Sequence, residues 1–110
     1  AWLDPSMTYS SALFDAGIAC WDAKLHYWLL RPSQADSTVT FPDSVGLPNF
    51  PAYPSGHACG GGAVAEALGT LVPGARAAVE REAAEGALSR LYAGVHYRFD
   101  NDTGLALGRR

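Results

Sequence analysis

An all-α fold is predicted by three features of this 110-residue chain. Ala-, Leu- and Gly-rich stretches are separated by Pro- and Gly-based stops, no segment alternates apolar and polar residues as a half-buried strand does, and no repeat or low-complexity tract intervenes. The length supports a single domain over residues 1–110, with a marginal core.

Each element has a reason. Asp4-Pro5 is a capping pair, and it opens a first helix expected to run to about Leu30, with Leu13, Ile18, Trp21, Leu25 and Trp28 as its candidate core residues. Five of the seven prolines lie between residues 32 and 54, which predicts a long ordered loop. Ser55 occupies an N-cap position, and the Ala- and Gly-rich run behind it continues to about Leu71, where Val72-Pro73-Gly74 stops it. A third helix is predicted from about Ala75 to Tyr92, with Arg76, Glu80, Arg81, Glu82 and Glu85 as a solvated face. Gly94 then breaks the chain, and a short last helix begins near His96. Of this set, the surfaces of Trp2, Leu13, Trp28 and Leu105 would stay partly uncovered in a lone chain, so a homo-oligomer is expected, with the first and last segments at its interface.

Charge narrows the function. Eight Lys and Arg against eleven Asp and Glu disfavour a general nucleic-acid surface. No stretch of 18 uncharged apolar residues exists, so a membrane-embedded protein is disfavoured, and no signal peptide is recognised. The compartment is left unassigned.

Against this acidic background, cations recur inside short motifs. Lys24 and Arg31-Pro32 form K-x6-R-P, and on one continuous helix the two cations would lie within roughly 20° of one face, about 10 Å apart along the axis. Residues 54–57 read P-S-G-H, where the Ser55 hydroxyl and the Gly56 amide at a helix N-terminus favour an anion. Residues 89–100 read S-R-x5-H-x3-D. His96 and Asp100 are four apart, a spacing that lets the carboxylate hold one ring nitrogen and leaves the other as nucleophile or metal ligand. Each motif alone also fits a cap, a solvated pair or a charged face. Three cations, two histidines and one carboxylate in this order describe an oxyanion site.

Together the three motifs resemble the signature of the superfamily that contains type 2 phosphatidic-acid phosphatases, bacterial class A acid phosphatases and vanadium-dependent haloperoxidases. Residues 50–58 and 94–100, with Trp21 three positions before Lys24, look like the haloperoxidase branch. The resemblance implies a helical bundle of the vanadium haloperoxidase and acid phosphatase type, truncated here because relatives use a larger one.

It also implies roles. His96 would be the sole protein ligand of vanadium or, in a phosphatase, the phosphohistidine nucleophile. Lys24, Arg31 and Arg90, with Ser55 and Gly56, would hold the oxygens of vanadate or phosphate. His57 would be the acid–base group and Asp100 would orient His96. Trp21 and Phe50 would line a halide pocket, or else be core aromatics. The activity implied is halide oxidation by hydrogen peroxide at a His-ligated vanadate. The alternatives are an acid phosphatase and a fragment that binds phosphate or vanadate without turnover. Vanadate and phosphate share charge and shape, which is why one site can serve both chemistries.

Other residues fit plainer readings. His26 faces away from Lys24 on the helix and receives no role, and no zinc-type ligand cluster occurs. Cys20 and Cys59 could pair, but in an Ala-rich helical chain two cysteines are more often small buried thiols. Gly60-Gly61-Gly62 lacks the G-K-[ST] ending of a phosphate loop, and close helix packing explains it better.

Overall fold

The structure is a computed structural model and describes residues 4–110. Its elements are α1 (Pro5–Tyr27), α2 (Pro32–Ala35), α3 (Gly56–Leu71), α4 (Arg76–Tyr92) and α5 (Arg98–Gly108), with a short 3-10 turn at Pro73–Ala75 before α4. Among the described residues there is no strand, and no helix is long and apolar enough to cross a membrane.

The start of α1 is as expected, with the Asp4 carboxylate accepting from the Ser6 amide at 2.9 Å and Pro5 at the first helical position. Its end comes earlier. Trp28 takes a left-handed conformation at φ 49° and its amide donates back to the Lys24 carbonyl at 3.0 Å, so the helix stops at Tyr27. Pro32 excludes the helical conformation for Arg31, which is extended at φ −67° and ψ 154°. Lys24 and Arg31 therefore do not share a helix face, and the long loop begins with the single turn of α2.

The α1 core is also unlike the expectation. Leu13, Ile18, Trp21, Leu25 and Trp28 are 38 to 65% exposed, while Ala16, Cys20 and Lys24 are buried. The cause is α3, which lies across α1, α4 and α5 and carries a buried row of Ala58, Cys59, Gly62, Ala63, Ala65, Ala67 and Gly69. Helices that meet through such small residues approach too closely for large side chains, which turn outward. A Cβ on Gly62 would stand 2.5 Å from the Leu105 carbonyl oxygen, one on Gly104 2.7 Å from Ala58 Cβ, and one on Gly108 would collide with the Cys59 carbonyl oxygen. Helix packing accounts for Gly60-Gly61-Gly62.

Leu105 is accordingly half-buried against α3 rather than left open, while Trp2 lies outside the described residues. On α4, Arg76 departs from the solvated face: it bonds Glu66 of α3 at 3.0 Å and Glu80 at 3.6 Å. The break after α4 is Gly94 at φ 70°, where a Cβ would strike the Thr40 carbonyl oxygen and the strain would be steric as well as torsional. The last helix starts at Arg98, two residues beyond His96.

Candidate active site

Four chain segments meet at the N-terminus of α3. The Ser55 amide donates to the Asp100 carbonyl at 2.9 Å, which pins the P-S-G-H turn to the start of α5. Ser55 is fully buried, and its hydroxyl caps α3 by accepting from the Ala58 amide at 3.4 Å. Gly56 is the first residue of α3 and faces Lys24, since a Cβ there would lie 3.9 Å from Lys24 Cε.

Lys24 and Arg31 are each 1% exposed, and main-chain oxygens hold both. Lys24 Nζ donates to the carbonyls of Pro51 at 2.9 Å and Ala52 at 3.2 Å. Arg31 Nε donates to the Phe50 carbonyl at 3.1 Å, and one terminal nitrogen donates to the Val95 carbonyl at 2.8 Å. The loop is in turn tied back by the Ala52 amide on the Leu29 carbonyl at 2.9 Å, and Arg31's own amide donates to Gln34 Oε1 at 2.8 Å. The loop thus converges the two cations, not helix periodicity. Burial pushes the Lys24 ammonium below its ordinary value, with Arg31 a further repulsive cause. The Phe50 ring covers both charges, 5.3 Å from Lys24 Nζ and 4.9 Å from Arg31 Cζ.

His96 is 4% exposed in the turn before α5, not on the helix. Its Nδ1 lies 2.8 Å from Asp100 Oδ2, which also accepts from the Tyr97 amide at 3.1 Å. Its Nε2 lies 3.0 Å from the Arg31 terminal nitrogen that also serves Val95. Arg31 is only a donor, so Nε2 must accept, which assigns the proton to Nδ1 and the lone pair to Nε2. Burial lowers the basicity of the ring, opposed by the Asp100 bond and assisted by Arg31 and Lys24, so the imidazole is neutral at pH 7. The i,i+4 pair forms across a helix start, where Asp100 also sits favourably in the first turn.

Arg90, near the C-terminal end of α4, is half-buried, and its Nε is a buried donor with no partner among the described residues. Its charge reaches both His57 and Arg31. His57, in the first turn of α3, is exposed at the mouth, and partial desolvation and then Arg90 lower its basicity. Trp21 and Phe50 are half-exposed at 46 and 41%, with ring centroids 5.2 Å apart, so they are not core aromatics. They form one wall of a groove of about 400 Å³ that also includes Leu25, Trp28, Leu47 and Pro48.

Lys24, Arg31, Ser55, Gly56, His96 and Asp100 therefore converge, with Arg90 and His57 beside them, whereas Ser89 is exposed and bonds the Gly86 carbonyl. Asp100 Oδ2 serves His96, and Oδ1 has no partner among the described residues. A buried surplus of positive charge calls for an anion. Among the described residues no three His, Cys, Asp or Glu side chains gather around a point. Sequence reasoning missed the carbonyls at 50–52 and 95, Gln34, and Asn101, whose amide ties α5 to the Ala87 carbonyl of α4 at 2.6 Å. Backbone acceptors leave no trace in residue identity.

No curated protein matches the chain. Among solved structures, that of a bacterial vanadium-dependent iodoperoxidase is similar, with a TM-score of 0.83 and 28% identity, over 96% of this chain and 30% of its own. The chain thus spans less than a third of that protein. A family model described as the PAP2 superfamily matches residues 6–110. With that match across nearly the whole sequence and all three motifs gathered in one site, the chain belongs to the PAP2 superfamily.

Proposed function

We propose that this site binds a tetrahedral oxyanion and, with vanadate, supports halide oxidation by hydrogen peroxide. The observation that carries the reading is the buried surplus of cations beside a histidine whose lone pair is at Nε2, where Arg31 now donates. The unpartnered Arg90 Nε supports the fit, because a buried N–H without an acceptor is costly until an anion supplies one. His96 Nε2 would be the one protein ligand of vanadium, and Lys24, Arg31 and Arg90, with the Ser55 hydroxyl and the Gly56 amide, would hold the oxygens. When bound, vanadate supplies a Lewis acid that activates peroxide toward halide without changing oxidation state.

The chain's own residues do the rest. Asp100 keeps the proton on His96 Nδ1 and the ring in place. Arg31 moves its terminal N–H from His96 Nε2 to the anion, while Nε stays on Phe50. His57 takes a proton from the incoming peroxide and later returns one, and its lowered basicity keeps it neutral before the anion binds. The Trp21 and Phe50 rings bound an apolar wall that would receive a weakly hydrated halide and exclude water.

The similarity to an iodoperoxidase makes iodide the first halide to try. The test is halide- and peroxide-dependent halogenation of a dye with and without orthovanadate, beside p-nitrophenyl phosphate hydrolysis. Halogenation that requires vanadate supports the reading. Phosphate ester hydrolysis alone would instead make His96 the nucleophile of a phosphatase, and anion binding with neither activity would make the chain a non-catalytic binder.

A further inference from the structure

Two thiols lie outside the roles described above. Cys20 on α1 and Cys59 on α3 are free, buried at 2 and 1% exposure, and line one crevice of about 110 Å³ with Gly17, Trp21, Gly56 and Gly60. The α1–α3 seam consists of small residues here, and both thiol side chains open onto this one crevice. Cys20 Sγ also lies 4.0 Å from the Pro54 carbonyl oxygen.

Their register matters. Cys20 is one helical turn before Lys24 on the same face, and Cys59 is one turn after Ser55, to whose carbonyl its amide donates at 2.9 Å. The pair therefore lies directly beneath the cation and the cap of the anion site. The two thiols are not equivalent. The neighbouring Cys59 side chain, helped by the Lys24 charge, lowers the Cys20 thiol, while the Cys20 side chain and burial push the Cys59 thiol up.

We propose that Cys20 and Cys59 are a peroxide-oxidisable dithiol that closes into a disulfide joining α1 to α3 one turn below Lys24 and Ser55. The Cys20 thiolate attacks one oxygen of hydrogen peroxide, the O–O bond breaks, and the departing hydroxide leaves as water with the proton Cys20 gave up. Cys59 sulfur then attacks the Cys20 sulfenic sulfur, the S–O bond breaks, and the hydroxyl leaves as a second water with the Cys59 proton. One peroxide gains two electrons and the two thiols lose them. The step uses neither halide nor vanadate, so it stands apart from the proposed function.

The experiment treats the reduced chain with a small excess of hydrogen peroxide, with no halide or vanadate present. It then counts thiols after denaturation, weighs the intact chain and measures Tm. Both thiols should vanish within single chains, the mass should fall by about 2 Da and return with dithiothreitol, and Tm should rise by roughly 10 °C or more. In Cys59→Ser, dimedone should trap a sulfenic acid at Cys20. Thiols that stay titratable, mass gains of sulfinic or sulfonic acid, or disulfides only between chains would each overturn the proposal, and the wild-type measurements decide it even if the variant fails to fold.

Discussion

Arg90 is the cation with the least support from the protein, since among the described residues its Nε has no acceptor, while Lys24 and Arg31 are held by main-chain carbonyls. Arg90→Ala should therefore weaken phosphate and vanadate binding about 10²- to 10³-fold, the scale of removing one member of a buried charge cluster. Calorimetric titration checks this, and an unchanged affinity would take Arg90 out of the site. The histidines should fail differently. His96→Ala should lose the vanadate adduct, whereas His57→Ala should retain anion binding and turn over about 10²- to 10⁴-fold more slowly. Titration also separates them from ordinary surface histidines. The lowered basicity of His57 arises partly from Arg90, so a bound phosphate that offsets Arg90 should raise it, visible as an upward shift of its NMR titration midpoint. For His96, a folded value below the usual one means the unfolded chain binds the proton more readily. Its contribution to stability is complete above about pH 6.5 and is lost as pH falls from there toward the lowered value.

Helix contacts place these groups, and glycines set the contacts. Gly104→Ala would press a methyl against Ala58 Cβ and the Ser55 carbonyl, both at 2.7 Å, and should destabilise the chain by about 1–3 kcal/mol while displacing α5 from the P-S-G-H turn. Gly86, exposed within α4 with open space around it, is the control: Gly86→Ala should stabilise by about 0.5–1 kcal/mol. Urea denaturation of the two variants gives opposite signs if the seam is as tight as it looks. The same contacts explain what could be read in advance. Start signals at Asp4-Pro5 and Ser55 and the stop at Gly94 act locally and were legible. The core face of α1 was not, because large apolar residues suggested it while the true partner, a ladder of small residues on α3, is known only once the helices meet. The departure of Arg31 from the helix was readable in principle from Pro32, whose effect on it outweighs the seven-residue spacing, whereas the stop at Tyr27 rests on left-handed Trp28 and carries no such signal. The motifs named the charged residues that line the candidate site, but not the means of gathering them.

At the scale of the molecule, the Cα radius of gyration is 14.7 Å. About 13 Å would be expected for a globular chain of this length. The dimensions of 53 × 27 × 22 Å show the elongation, and α1 leaves Phe14 71%, Ile18 57% and Leu25 57% exposed, with Trp28 just beyond its end at 65%. Such a run on one helix is more than scattered surface residues, and it should be covered in solution. We expect light scattering at micromolar concentration to return an oligomer whose mass drops when Phe14 and Ile18 are replaced by polar residues. A stable, folded monomer of the unaltered chain would count against association.

The way Lys24 and Arg31 are held carries one more consequence. Their acceptors at Phe50, Pro51, Ala52 and Val95 are all peptide oxygens, which every amino acid possesses. No point substitution at 51 or 52 can delete an acceptor, so charge placement there is insulated from side-chain drift. Only a change in the path of the chain, by insertion, deletion or loss of the Ala52 amide's bond to Leu29, can dislodge the cations. The acceptors themselves are indifferent to side chain, but Ala52 and Pro54 are fully buried, so a library across 48–54 should lose anion binding through insertions, deletions and bulky residues at 52 or 54 and keep it through changes at exposed Asn49.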